Sequence, residues 1–313
     1  MKRFCVSTLT CNDRDTLKGT FTAVLSNTRV SDPLEWFLLL QGCTPQYVAE
    51  IAGFLEESLS AVYTFQHAVY RKGIRAPEKL WVKQNGQETK QEEEKPATST
   101  KPVIRVGMYV VEQNLGLSKG NNLLCDLVKE YEYVLNVEDD WTLLPEKMTQ
   151  CPPTWLTTCL TFLDANRDVS TLFLRKYATA QEKWQYGWTR VISYRDHQYR
   201  NQNFNWAAKI KGSDVKMCGD LKFQHIPTFL FTFNPAIRRN ADYYKANVFP
   251  LNEFEDVNRR RNEWKQTQED TIVKWGWCES LAMEKHRDLK TYNVQSGCFG
   301  HYEDWAPLLL TSK

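Results

Sequence analysis

Three carboxylates in a row, Glu138-Asp139-Asp140, follow an apolar run, Tyr133-Val134-Leu135-Asn136-Val137, that reads as a buried β-strand. In a parallel α/β sheet the carboxyl end of a strand opens onto the ligand crevice. Carboxylate oxygens placed there suit a hard divalent cation such as Mg2+ or Mn2+. Side chains alternate along a strand, so Glu138 and Asp140 are expected on one side with Asp139 turned away. The competing reading is an acidic turn that caps a helix near Pro145. A second polar segment, Asn114-Leu115-Gly116-Leu117-Ser118-Lys119-Gly120-Asn121-Asn122, lies between a predicted strand and a predicted helix. Its glycines would let backbone approach a ligand, and Lys119 could meet a phosphate at the helix N-terminus. An ordinary polar turn fits that segment equally well on local grounds. Together, the loop and the acidic strand end outline a site for a nucleoside diphosphate with its metal.

The elements that must position these groups alternate. Phe4–Thr10 reads as a strand that ends in the turn cluster Cys11-Asn12-Asp13-Arg14-Asp15, with a helix from about Thr16. Trp36–Leu40 reads as a second strand, stopped by Gln41-Gly42. Thr44-Pro45 starts a helix, an N-cap followed by proline at the first helical position. Val48, Ile51, Leu55, Leu59, Val62, Phe65 and Val69 continue at steps of three and four, which predicts one long helix. Ile104–Val111 reads as a third strand, a short helix covers Leu123–Val128, and the strand before Glu138 is the fourth. A helix near Trp155–Leu163, strands at Thr171–Leu174 and Thr228–Phe233, and a helix from Thr267 to Met283 follow. Strands and helices alternating at this length predict a mostly parallel α/β sheet flanked by helices, in a single domain over 1–313. Residues 84–101 contain one apolar residue, Ala97, around Glu92-Glu93-Glu94. Such a segment cannot bury enough surface to offset its ordering entropy and is expected to be a disordered acidic insertion.

Composition narrows the classes. Of 313 residues, 42% are hydrophobic and 25% charged, ordinary globular usage that excludes wholesale disorder. Forty basic against 38 acidic side chains leave +2, which argues against a nucleic-acid binder working through bulk charge. No run approaches the roughly 18 apolar residues of a spanning helix, so no transmembrane segment is expected. The start of the chain turns polar too early for a signal peptide, and a soluble cytoplasmic protein is the expectation. Nine cysteines without a CxxC spacing read as free thiols in a reducing compartment.

Here the sequence resembles a known family. Thr8-Leu9-Thr10-Cys11-Asn12-Asp13-Arg14, then Asn114-x-Gly116 with Asn122, then Glu138-Asp139-Asp140, are similar to motifs of family 2-like glycosyltransferases of the GT-A fold. Phe233-Asn234-Pro235-Ala236-Ile237-Arg238-Arg239 resembles the acceptor-side stretch of that family, Gln268-Glu269-Asp270 its acidic catalytic motif, and Gly300-His301 its C-terminal histidine. The resemblance spans nearly the whole chain apart from the acidic insertion, and extends to sugar transferases encoded by large DNA viruses. The sequence departs from the pattern where Glu138 replaces an aspartate, where Gln41 stands at the usual base-reading aspartate, and where Phe231-Thr232-Phe233 replaces a glycine-rich loop.

The resemblance implies a GT-A-like, Rossmann-type sheet and a metal-dependent inverting glycosyltransferase acting on a UDP- or GDP-sugar. It implies a hydroxyl of a glycan or glycoprotein as acceptor, and Mn2+ or Mg2+ held by Asp140 and His301. It places Thr8, Thr10, Asn12, Arg14, Gln41, Asn114, Lys119, Asn122, Glu138 and Asp139 around the nucleotide sugar, and Asp270 with Glu269 at the catalytic position. Asp270 would take the acceptor's proton. Local alternatives stand beside these roles. Thr267-Gln268-Glu269-Asp270 also fits a helix capping box, and His301 could bond Glu303 or Asp304. Trp184, Trp188, Trp206, Trp275 and Trp277 could pack on sugar faces or simply fill a core. Arg259-Arg260-Arg261 reads as a solvated face. Two other functions compete. A sugar-nucleotide nucleotidyltransferase would want a glycine-rich basic loop after the first strand, which Thr10–Arg14 lacks. A non-catalytic carbohydrate-binding protein has only the aromatic content behind it.

Overall fold

The β-rich opening forms β1 (Lys2–Cys11), and the turn cluster leads into α1 (Thr16–Ser26). In this computed structural model the described residues are 2–29, 33–60, 64–72, 77–84, 87–88, 103–149, 151–176, 214–226, 235–240 and 289–301. They fall in two compact units, Met1–Leu143 and Leu144–Lys313.

In the first unit β1 is followed by β2 (Leu34–Gln41), α2 (Pro45–Ser60), β3 (Thr64–Lys72), β4 (Pro77–Gln84) and β5 (Gln87–Glu88). Then come β6 (Val103–Val111), α3 (Gly116–Val128), β7 (Tyr131–Asn136) and β8 (Trp141–Leu143). The strands lie in the order β7-β1-β2-β6-β3-β4-β5. From β7 to β3 every pairing is parallel, and β4 and β5 return antiparallel. One face carries Trp36, Leu38, Leu40, Ile104, Val106 and Met108, all buried, with Leu17, Phe21, Val24 and Leu25 of α1 also buried. Phe21 stacks on Trp36 at 4.0 Å between ring centroids. The apolar run of β2 is therefore long because both faces of the strand are covered.

Two expectations change here. The predicted long helix stops at Ser60, and Thr64–Lys72 is a strand instead. Three-and-four spacing persists there, but Val62-Tyr63-Thr64-Phe65 is dense in β-branched and aromatic residues, which favour a pleated strand. Pairing of β3 with β6, from Thr64↔Val103 to Arg71↔Val110, decides the outcome. Within the predicted insertion, Gln87-Glu88 pairs with Lys83 and Gln84 of β4. Residues 89–101 lie outside the described residues.

The second unit contains α4 (Glu146–Thr149), α5 (Trp155–Ala165), β9 (Val169–Phe173), β10 (Val215–Cys218) and β11 (Leu221–Ile226). β12 (Ala236–Arg239), β13 (Lys290–Val294) and β14 (Phe299–His301) complete it. Its strands run β10-β11-β13-β9-β12, with β13 and β9 parallel and the other pairs antiparallel. Phe162 of α5 stacks on Phe223 of β11 at 4.0 Å and meets Tyr292 of β13 edge-on at 5.3 Å. The predicted strand Thr228–Phe233 and helix Thr267–Met283 fall outside the described residues. Every described cysteine is a free thiol, as expected. Among the described residues no helix is long and apolar enough to cross a membrane.

Candidate functional site

Parallel register brings the carboxyl ends of three strands level. Cys11 of β1 pairs with Gln41 of β2, and Gln41 with Val111 of β6. Beyond each end the chain turns sharply, and the three turns touch. Gly42, at φ +63°, donates its N–H to the Val111 carbonyl at 2.8 Å. A Cβ on Gly42 would stand 3.0 Å from the Asn114 nitrogen and 3.3 Å from Asn12 Oδ1, so only glycine fits this backbone and this space. Asn12 and Asp13 also adopt left-handed backbone, with φ 56° and 53°, a conformation their residue types tolerate.

Each turn is held by side chains. Asp13 accepts the Thr44 N–H at 2.8 Å and the Thr44 hydroxyl at 2.7 Å. Thr44 Oγ1 in turn accepts the Tyr47 N–H at 3.2 Å, the N-cap that its sequence position predicts. The Tyr47 hydroxyl donates to the Arg14 carbonyl at 2.5 Å. Gln41 is buried, with Oε1 accepting the Leu115 N–H at 3.1 Å. Its side chain thus pins the loop before α3, so the residue standing at the base-reading position already has a partner within the fold. Asn114 Oδ1 accepts the Gly116 N–H at 2.8 Å where α3 begins.

The acidic segment differs from its sequence reading. β7 ends at Asn136, which pairs with Ser7, and the Val137 N–H still reaches the Ser7 carbonyl at 3.0 Å. Residues 138–141 then form a turn, with the Trp141 N–H on the Glu138 carbonyl at 3.3 Å and Trp141 Nε1 on Glu138 Oε2 at 3.2 Å. The strand alternation expected for Glu138 and Asp140 is therefore lost. Asp139 and Asp140 converge instead. Three residues beyond the Ser7–Asn136 pair along each segment, Thr10 Oγ1 donates to Asp139 Oδ2 at 2.5 Å. Arg14 Nη1 lies 3.0 Å from Asp140 Oδ2 and 3.4 Å from Asp139 Oδ1. The Thr20 hydroxyl sits 2.9 Å from the Asp139 carbonyl and 2.7 Å from that of Trp141, fixing the turn from α1.

Burial pushes the Asp139 carboxyl up to about 6, the larger effect, against the Thr10 hydrogen bond and the Arg14 charge, which favour the anion. The Arg14 guanidinium is driven further toward its charged form, chiefly by Asp139. Burial also raises the thiols of Cys11 and Cys43, which keeps them protonated at the strand ends.

Of the residues singled out in the sequence, Thr10, Arg14, Asp139 and Asp140 meet directly, and Asn12, Gln41 and Asn114 form the touching turns beside them. Thr8 does not join them. It is fully buried and its hydroxyl accepts the Trp36 indole N–H at 3.0 Å, because it shares the face of Thr10 but lies two residues deeper in β1, away from the strand end. Lys119 and Asn122 lie in the opening turns of α3, which starts at Gly116, earlier than expected. Gly120 serves packing rather than ligand approach. A Cβ there would stand 2.9 Å from Leu9 and 3.0 Å from Gln41 Oε1, so the glycine lets α3 press onto β1 and β2. His301 ends β14 in the second unit, and Glu269 and Asp270 lie outside the described residues. Thr20 and Tyr47 are not singled out in the sequence, and Thr44 reads there only as a helix cap. Only the Thr44-Pro45 cap carried a local signal for any of them.

The donor set fits a hard cation. Asp140, beside Asp139, offers carboxylate oxygen, and among the described residues no three His, Cys, Asp or Glu side chains gather to form a cage. One or two carboxylates are the protein's usual share when phosphates complete the shell of Mg2+.

No protein-family model matches the sequence, and neither does any curated protein. Solved structures do resemble it. GalNAc-T7, solved with UDP, GalNAc and Mn2+, aligns with a TM-score of 0.52 at 8% identity over 96% of this chain and 44% of its own. S. aureus TarS aligns at 0.49 and 12% identity over 98% of this chain and 38% of its own. TarS 1–349 with UDP aligns at 0.49 and 12% over 98% and 63%. The chain spans from about two fifths to three fifths of the length of these neighbours. The mostly parallel sheet flanked by helices is GT-A-like, as the motif resemblance implied.

Proposed function

We propose that this chain is a metal-dependent inverting glycosyltransferase that moves a sugar from a UDP- or GDP-sugar to a hydroxyl of a glycan or glycoprotein acceptor. The observation that carries the reading is the meeting of Asp139, Asp140 and Arg14 where the parallel strands end, on a GT-A-like sheet. That edge is where α/β sheets of this kind bind nucleotides. The structural likeness to GalNAc-T7, solved with UDP and Mn2+, is consistent with a nucleotide-sugar donor and a divalent cation.

In this reading Asp140 would hold Mn2+ or Mg2+, and Asp139 stays fixed on Thr10. A bound divalent cation neutralises the charge that develops on the departing diphosphate. Asn12, Asn114 and the opening turns of α3 with Lys119 and Asn122 face the nucleotide diphosphate, where helix N–H groups favour negative charge. Arg14 contributes a second cation on a half-exposed side chain. Asp270, with Glu269 beside it, takes the acceptor's proton, and direct displacement inverts the anomeric centre.

Incubation with a panel of nucleotide sugars and Mn2+, read as slow donor hydrolysis or transfer, tests this. The proposal expects release of nucleoside diphosphate from one donor. It also expects Asp270→Asn to lower turnover by about 10²–10⁴-fold while donor binding survives. Formation of a sugar nucleotide from sugar phosphate and nucleoside triphosphate would favour a nucleotidyltransferase instead. Binding of glycans without any turnover would favour a carbohydrate-binding protein.

A further inference from the structure

Arg14 is held at its main chain, and its half-exposed side chain reaches two carboxylates. Its carbonyl accepts the Tyr47 hydroxyl at 2.5 Å, and its neighbour Asp13 is clamped to Thr44. Its side chain is 49% exposed, yet one nitrogen, Nη1, bridges Asp140 at 3.0 Å and Asp139 at 3.4 Å. The two carboxylates are not equivalent. Asp139 is almost fully buried and locked by Thr10, whereas the Asp140 side chain is 24% exposed. Among the described residues, Lys18, four residues further along the chain, is paired with Glu50.

We propose that Arg14 is the resident counter-ion of the Asp139–Asp140 pair, competes with the divalent cation for Asp140, and turns to the diphosphate once the cation has taken that carboxylate. The inference rests on the metal-dependent reading above. A guanidinium and a divalent cation on the same carboxylate oxygen repel each other, and the half-exposed arginine is the one that can leave. Asp139 remains in place because its second oxygen is bonded to Thr10. In this arrangement the buried carboxylate pair is never left without a cation nearby, and the arginine becomes available to phosphate only when the metal is present. The outcome is ordered binding, with metal before or together with nucleotide.

The test uses the full chain without nucleotide and follows free Mn2+ by its electron paramagnetic resonance signal. Arg14→Gln, which keeps a hydrogen-bond donor without the charge, should bind Mn2+ up to about fivefold more tightly than wild type, the range of a half-exposed ion pair. Arg14→Lys should stay near wild type. With saturating Mn2+ the Gln variant should bind UDP more weakly. Equal or weaker Mn2+ binding by a Gln variant that melts like wild type would overturn the proposal. A second readout needs no variant. Phenylglyoxal labelling of Arg14, measured on its peptide by mass spectrometry, should rise when Mn2+ is added to the wild-type protein, and an unchanged or reduced rate would also overturn the proposal. If Mn2+-dependent UDP binding persists in wild type, only the role of Arg14 has failed. If Mn2+ binds neither alone nor with UDP, the metal reading has failed with it.

Discussion

Asp139 concentrates the electrostatics of the site at the scale of one residue. It is 4% exposed, and burial raises its pKa to about 6 from an ordinary 3.8. Between those values the folded chain binds more protons than the unfolded chain, so this residue's contribution to stability falls as pH rises and returns as pH drops. In metal-free protein, the wild type should therefore gain about 2 kcal/mol over Asp139→Asn between about pH 7.5 and about pH 4.5, read from urea midpoints. A gap between the two proteins that does not change with pH would contradict the burial penalty. The acidic triad itself was legible in the sequence, since three carboxylates after an apolar strand are conspicuous. Which two of them converge was not. That depends on the strand ending at Asn136 and on Trp141 drawing Glu138 aside, and both follow from pairing with β1 and from contacts with α1.

Elements pack through a few large side chains. In the second unit Phe162 joins α5 to two strands at once, stacked on Phe223 and edge-on to Tyr292, with all three rings buried. Phe162→Ala removes both contacts and leaves a cavity that rigid strands on one side cannot close. It should cost about 3–5 kcal/mol, seen as a lower urea midpoint with an unchanged slope. A loss below about 1 kcal/mol would mean that α5 is not seated on β11 and β13 as described. The helix at Trp155 was legible from its apolar spacing, as were β1, β2, β6, β7 and β9 from their apolar runs. Polar strands were not. β10, Val215–Cys218, and β11, Leu221–Ile226, carry Lys216, Lys222, Gln224 and His225 among their apolar residues. β10 pairs with β11 across the tight turn Gly219-Asp220, and β11 is a strand because it also pairs with β13 far along the chain, information that no local window contains. β3 was misread for the same reason, since its partner β6 lies beyond the acidic segment.

At the scale of the whole molecule, a chain of nearly balanced charge brings Thr10, Arg14, Asp139 and Asp140 together where the parallel strands of the first unit end. Parallel strands all point their carboxyl ends to that edge, so residues as distant as Thr10, Gln41, Asn114 and Asp139 become neighbours through topology alone. Under the proposed function, this edge binds a nucleoside diphosphate through a divalent cation on Asp140. Calorimetry of UDP and GDP binding to the full chain, with Mn2+ and then with EDTA, tests it most directly, with Asp140→Asn as the paired variant. One of the two nucleotides is expected to bind, with affinity that weakens by about tenfold or more when the cation is removed, and equally when Asp140 loses its charge. Equal affinity with Mn2+ and with EDTA, or an Asp140→Asn protein that binds as the wild type does, would contradict it.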